Sequence, residues 1–260
     1  MKRAFLIFAL ALAVAALPGF AQAPQGAAPA GQAAPAGRGV GRGAPAPFVA
    51  DTTPVIEDFK PSALNAIVNG QIRQYPEVNS QRRMRTQLRA PNAQSVFIDL
   101  GGRVPMTKNA DGVWTGVTNP LDEGFHYYQL IVDGVSISDP GTAQFYGASR
   151  WGSGVEVPAH DQDFYAMKNV PHGQIREVHY FSKIANAELE CYVYTPPDYE
   201  KGSKRYPVLY IEHGAGEDEH GWGGQGHAGL IMDNLLAEGK AKPFLLVIGT
   251  LYIPGTGGGR

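Results

Sequence analysis

Residues 206–248 constrain the fold of this chain more than any other stretch. Tyr206-Pro-Val-Leu-Tyr-Ile-Glu-His-Gly-Ala-Gly216 contains an apolar run, Val208 to Ile211. Its β-branched and aromatic composition predicts a buried strand. The run stops at His213-Gly214-Ala215-Gly216, a glycine turn of the kind used where backbone must come close to a neighbour. Ala228, Ile231, Met232, Leu235 and Leu236 follow at the spacing of one helix face. Gly239 stands where a left-handed residue closes a helix. Phe244 to Ile248 is a second apolar run. Strand, glycine loop, helix and strand make a βαβ unit, so this region is expected to hold a parallel sheet.

A His-Gly-x-Gly turn after such a strand is where serine hydrolases of the α/β type place an oxyanion-hole N–H. Any α/β protein also needs tight strand-to-helix turns, so the tetrapeptide alone leaves both readings open.

The chain begins with a targeting pattern. Lys2 and Arg3 precede the apolar run Ala4 to Leu17, which is too short to span a membrane as a mature helix. Pro18-Gly19 breaks the run, and small residues for cleavage follow, so residues 1–23 read as a secretory signal peptide. A secreted or periplasmic product, off the membrane after cleavage, is expected. Residues 24–54 read as a linker: up to Pro47 it is almost wholly Ala, Pro, Gly and Gln, with too little apolar surface to offset its chain entropy. Arg38 and Arg42 lie in a glycine-rich run, but no aromatics interleave them. The whole chain carries 22 basic and 24 acidic residues, a net charge of −2. That balance argues against a nucleic-acid partner. Cys191 is the only cysteine, so an exported chain of this kind has no internal disulfide. It lies in the alternating run Leu189 to Tyr194, and reads as a small buried hydrophobe rather than a nucleophile.

From residue 61 to residue 160 the pattern is all-β. Met84, Thr86 and Leu88 alternate with charged and polar residues, a half-buried strand. Further strands are expected at Val96 to Ile98, Val113 to Val117 and Phe125 to Val132. The turn Asn109-Ala-Asp-Gly112 separates two of them, and Asp133-Gly134 is a two-residue hairpin signal. Short strands at this spacing suggest an immunoglobulin-like β-sandwich. Aromatics are dense, and most are expected in the core, Trp114 among them. Tyr146 and Trp151 lie in a Gly/Ser-rich stretch, residues 141–154, read as irregular, and are candidates for carbohydrate contact. Farther on, Gln174 to Ser182 and Glu188 to Thr195 read as a hairpin about Ala185-Asn186.

Val170-Pro-His-Gly173, Val193-Tyr-Thr-Pro-Pro-Asp-Tyr199, the 206–219 stretch and Leu235-Leu-Ala-Glu-Gly-Lys-Ala-Lys-Pro243 together resemble an esterase family. It includes feruloyl esterases, acetyl-xylan esterases and enterochelin-esterase-like enzymes. Tyr75-Pro-Glu-Val-Asn-Ser80, Leu88-Arg-Ala-Pro91, Phe125-His-Tyr-Tyr128 and Val132-Asp-Gly134 resemble the E-set module joined to such enzymes, itself similar to glycogen-binding modules. The resemblance implies a β-sandwich of E-set type over 61–160, followed over 170–260 by the N-terminal half of an α/β-hydrolase domain. It implies a carboxylic-ester hydrolase acting on plant cell-wall polysaccharide esters, without a cofactor. Ala215 and Gly216 then become oxyanion-hole candidates, with His213 and Trp222 lining the pocket.

The chain departs from the family in one respect. The family's nucleophile is a serine in a Gly-x-Ser-x-Gly elbow, and this sequence has no such elbow. Ser149 and Ser153 lie in the wrong context, and the family's acid and histidine come later still. The expectation is therefore a truncated esterase that is inactive alone. The alternative function is a secreted carbohydrate-binding protein that works through its β-module. His213, Glu217, Asp218, His220 and His227 lie close in sequence but match no standard zinc spacing, so no metal is expected.

Overall fold

The computed structural model describes residues 48–250 and 252–253. The signal peptide and residues 24–47 of the linker lie outside them. Residues 48–54, the end of the expected linker, run as coil tied to the β-rich part. Asp51 pairs with the buried Arg83 at 2.7 Å, and Asn119 bonds to the backbone of both Val49 and Asp51.

The described chain is mostly β-sheet with few helices. One sheet runs in the order Lys60–Pro61, Glu77–Val78, Met84–Arg89, Val113–Val117, Thr107–Lys108. A second runs Gln144–Gly147, Arg150–Val157, Gly124–Val132, Val96–Asp99, Arg103–Pro105. Alternation along these strands sends Met84 and Trp114 from the first sheet, and Val96, Ile98, Tyr128, Leu130 and Val155 from the second, into one shared core. The Trp114 Nε1–H donates to the Ala90 carbonyl at 2.9 Å, so its burial leaves no orphan donor. Asp133 and Gly134, both at positive φ, close the expected two-residue hairpin between Val132 and Val135.

A polar knot sits inside this core. Asp139 is 1% exposed. Its carboxylate accepts the hydroxyls of Thr86 (2.6 Å) and Tyr128 (2.7 Å) and the Gly141 N–H (2.7 Å).

Residues 141–154, read as irregular, instead form most of a hairpin. Gln144–Gly147 pairs with Arg150–Val157, and Ala148 and Ser149 make the turn, both at positive φ. The left-handed turn carries none of the Asn or Gly residues that normally mark it, which hid the hairpin from a composition argument.

The third sheet runs Gln174–Ser182, Ala187–Thr195, Leu245–Gly249, Val208–Glu212. The first three strands pair antiparallel, and the last pair is parallel, in register Val208↔Leu245. Helix Ala228–Ala237 is the crossover between the parallel strands, which makes the expected βαβ unit. Gly239 ends it in a Schellman motif, with Gly239 N–H on Leu236 O and Lys240 N–H on Leu235 O.

Two expectations here are corrected. Val208–Glu212 is not buried: among the described residues it is the sheet's edge, with Leu209 49% and Tyr210 70% exposed. An apolar run specifies a strand, but its composition cannot tell a central position from an edge. The helix, too, buries more than its apolar stripe. Ala228 and Met232 enter the core, and Asp233 and Asn234 are buried beside them. The Asn234 amide donates to the carbonyls of Phe164 and Ala166. Asp233 accepts from the Tyr194 hydroxyl (2.7 Å), the Gly173 N–H (2.8 Å) and the His172 ring (2.8 Å). That network explains the Val170-Pro-His-Gly173 stretch: it starts the first strand of the sheet against the helix.

Candidate functional site

The loop after Val208–Glu212 lies where the strand's C-terminal end opens, the usual place for a site in a parallel sheet. Gly216 has φ +80°, and a Cβ there would meet Ser149 N at 3.3 Å and Ala148 Cα at 3.4 Å. The left-handed φ favours glycine, and the close turn leaves little room for a Cβ. Its N–H donates to the Tyr252 hydroxyl at 2.9 Å, and its carbonyl accepts the Ser149 N–H at 2.7 Å. The Ala215 N–H has no acceptor among the described residues. His213 is buried, its ring tilted against Tyr252 with centroids 5.0 Å apart, and its Nδ1 lies 2.8 Å from Gly214 O. Trp222 is anchored by its Nε1–H on the Glu212 carbonyl at 2.8 Å and leaves much of its ring exposed.

Glu217 braces the loop from within. One carboxylate oxygen takes the Tyr127 hydroxyl at 2.8 Å, and the other lies 3.3 Å from the Gly214 N. Gln225 reaches the same hydroxyl and the Tyr146 carbonyl. Burial, then the bond to Glu217, pushes the Tyr127 pKa well up, so its proton stays in place as a donor. Backbone donors held this way need no reorganisation when negative charge develops beside them.

The two carbohydrate-contact candidates sit at this same place. The Trp151 ring lies edge-on to Tyr146 (5.5 Å) and to His220 (5.3 Å), and His220 meets Tyr192 at 4.9 Å. Trp151 is 51% exposed. Of the five residues weighed as metal ligands, Asp218 and His220 come together, joined by Glu219. Their contacts are mutual, with His220 Nδ1 on Asp218 Oδ1 at 2.9 Å. His227 turns instead toward Glu156. Cys191 is buried, and burial pushes its thiol pKa up, with Glu190 and Glu219 adding to the effect. Iodoacetamide at pH 8 is expected to alkylate it roughly tenfold more slowly in the native chain than in urea, read by mass spectrometry. Equal rates would mean the thiol is open.

Sequence reasoning missed Tyr127, Gln225 and Tyr252. A signal for Tyr127 existed. Strand alternation puts Tyr128 in the core and Tyr127 on the opposite face, free to reach a neighbour.

No family model matches the chain. Over 202 residues it is 48% identical to an endo-1,4-beta-xylanase/feruloyl esterase of Xylanibacter ruminicola. In sequence, then, the chain is similar to a xylanase/feruloyl esterase. The match covers 74% of this chain and 27% of the xylanase/feruloyl esterase, so the chain spans about a quarter of that relative's length. Similar solved structures include a ferulic acid esterase of Anaeromyces mucronatus, 28% identical over 37% of this chain and 35% of that one, with TM-score 0.32. The enterobactin esterase of Shigella flexneri is 14% identical over 65% of this chain and 52% of its own, with TM-score 0.49. The family read from residues 170–243 is therefore the family of its relatives. In this chain the glycine loop, its Glu217 brace and the aromatic edge meet, drawn from both the β-rich part and the βαβ unit.

Proposed function

We propose that this chain provides the substrate side of a secreted carboxylic-ester hydrolase of feruloyl-esterase type, acting on plant polysaccharide esters. In this reading residues 61–160 are an E-set sandwich and residues 170–260 are the opening half of an α/β-hydrolase domain. The Ala215 and Gly216 N–H groups face the ester's oxyanion, Trp222 and His213 line the acyl pocket, and Trp151 with Tyr146 meets the sugar. The observation that carries the reading is the braced glycine loop at the end of a parallel strand, in a chain 48% identical to a xylanase/feruloyl esterase.

Ester hydrolysis by this template needs a serine, a histidine and an acid acting together. The sequence holds no Gly-x-Ser-x-Gly elbow to supply that serine. In this reading the chain binds without turning over. Titration with a feruloylated arabino-oligosaccharide should shift the Ala215 and Gly216 amide signals and the Trp222 indole signal in nitrogen-edited NMR. Methyl ferulate should show no hydrolysis above a matched blank. Unmoved loop signals would sink the oxyanion assignment, and turnover that follows the monomer peak would reveal a different nucleophile.

The second reading is carbohydrate binding by the β-rich part alone. The exposure of Trp151 beside Tyr146 favours it. Retained binding of unesterified xylan, with no response from the loop amides, would select it.

A further inference from the structure

A second cleft, which shares Gln225 with the loop's brace, lies between strand Arg150–Val157 and the start of helix Ala228–Ala237. It has a volume of about 420 Å³, within the range of ligand clefts. Glu156, His227, Tyr165, Asp161, Phe164 and Phe125 line it.

Two buried atoms at the closed end lack hydrogen-bond partners. Glu156 is 7% exposed, and its Oε2 has no hydrogen bond. The Nε2 of His227 has none either. They stand 3.8 Å apart, within ion-pair range when His227 is protonated but beyond a hydrogen bond. Leaving two such buried groups without a hydrogen bond is costly, and native structures rarely do so. Both side chains are nonetheless held firmly. The Tyr165 hydroxyl donates to the other Glu156 oxygen at 3.0 Å, and the same ring stacks on His227 at 5.1 Å and 8°. Burial, then Glu156, pushes the Tyr165 pKa up to about 12, so it remains a donor at neutral pH. His227 also sits at φ +52° as the residue that precedes helix Ala228–Ala237, where its side chain makes no capping bond. A Ser, Asp or Asn would do that structural task better.

The lining then selects the ligand. Glu123, Glu156 and Asp161 repel anions, which rules against phosphates and acidic sugars. A carboxylate oxygen and an imidazole nitrogen side by side ask for a group that both donates and accepts. Adjacent hydroxyls do both, whichever His227 tautomer is present. Phe164, largely exposed at the mouth, offers an apolar face to a ring.

We infer that the Glu156–His227 cleft is a subsite for a neutral sugar residue, with vicinal hydroxyls bridging Glu156 Oε2 and His227 Nε2. The inference rests on the polysaccharide half of the function proposed above, and not on ester hydrolysis. The probe is xylohexaose, titrated into the full chain and followed by calorimetry and by the His227 ring signals in NMR. Binding is expected to move the His227 signals. Glu156→Gln keeps the shape of the side chain, and His227→Phe keeps the stack on Tyr165. Each should weaken binding at least tenfold, while Phe181→Ala, an exposed position on strand Gln174–Ser182 outside both sites, leaves the binding and the His227 response intact. Thermal melting checks that each variant is folded, and the wild-type ring signals need no variant at all. Xylohexaose that binds without moving the His227 ring, or whose affinity falls with Trp151→Ala but not with Glu156→Gln, would place the sugar at the loop and overturn this subsite. Absence of binding to the wild-type chain would overturn it as well, and would leave the oxyanion reading to its own ferulate test.

Discussion

Asp139→Ala is expected to cost the β-rich part about 4 kcal/mol, seen as a drop in the urea midpoint with an unchanged slope. The reasoning starts from the three donors that share the carboxylate: the hydroxyls of Thr86 and Tyr128 and the Gly141 N–H. Thr86 and Tyr128 are both almost fully buried, so no water replaces the lost acceptor. A buried donor left unmade costs about 1–3 kcal/mol, and collapse around the small cavity recovers part of the sum. The remainder is a large share of the roughly 5–15 kcal/mol that a domain has in total. Burial raises the Tyr128 pKa further, with the Asp139 charge adding to it, so the phenol cannot escape by ionising. Thr86→Val removes one donor and keeps its shape, and should cost far less. A midpoint shift for Asp139→Ala no larger than that of Thr86→Val would mean the knot is not holding the two sheets together.

Gly173→Ala should be nearly as damaging, for a steric reason. A Cβ at this position would overlap the Thr195 carbonyl oxygen and lie 2.5 Å from the Tyr194 ring. Neither neighbour can give way. The carbonyl belongs to the backbone of strand Ala187–Thr195, where Thr195 pairs with Gln174. The Tyr194 ring is fully buried, and its hydroxyl is tied to Asp233. One methyl therefore pushes the first strand off the sheet, and also breaks the Gly173 N–H bond to Asp233. Overpacking of this kind costs about 1–3 kcal/mol, and the lost charge-assisted bond adds about 1.5–3. Hydrogen exchange is the measurement. Amides of 174–182 should exchange much faster in the variant, while those of 124–132 keep their protection. Uniform protection in both would show that the sheet absorbs the methyl.

Local rules made much of this fold legible. The Asp133-Gly134 hairpin, the Asn109 turn, the βαβ unit and the Gly239 stop are each fixed by a few adjacent residues with one conformational answer. What escaped was set by residues distant in sequence. Asp233 and Asn234 read as the polar face of a helix until His172, Tyr194 and Phe164 arrive around them. Val208 to Ile211 has the composition of a central strand, and only the sheet order shows it at an edge. At the candidate site, Ala215 and Gly216 became candidates through the family resemblance, because the glycine turn alone fits any strand-to-helix connection. Tyr127, ninety positions from Glu217 in the chain, could not be paired with it without the fold.

The hairpin turn at Ala148 and Ser149 touches Gly216 with little space for a side chain between them. The β-rich part is thus not an interchangeable cassette carried in front of the βαβ unit. Lengthening that turn by a residue, or grafting in a module with a different hairpin, would withdraw the N–H that holds the Gly216 carbonyl and let the loop's peptide planes turn. Lineages that shuffle the front module would have to bring along its partner loop, so the two segments are expected to be inherited as a pair.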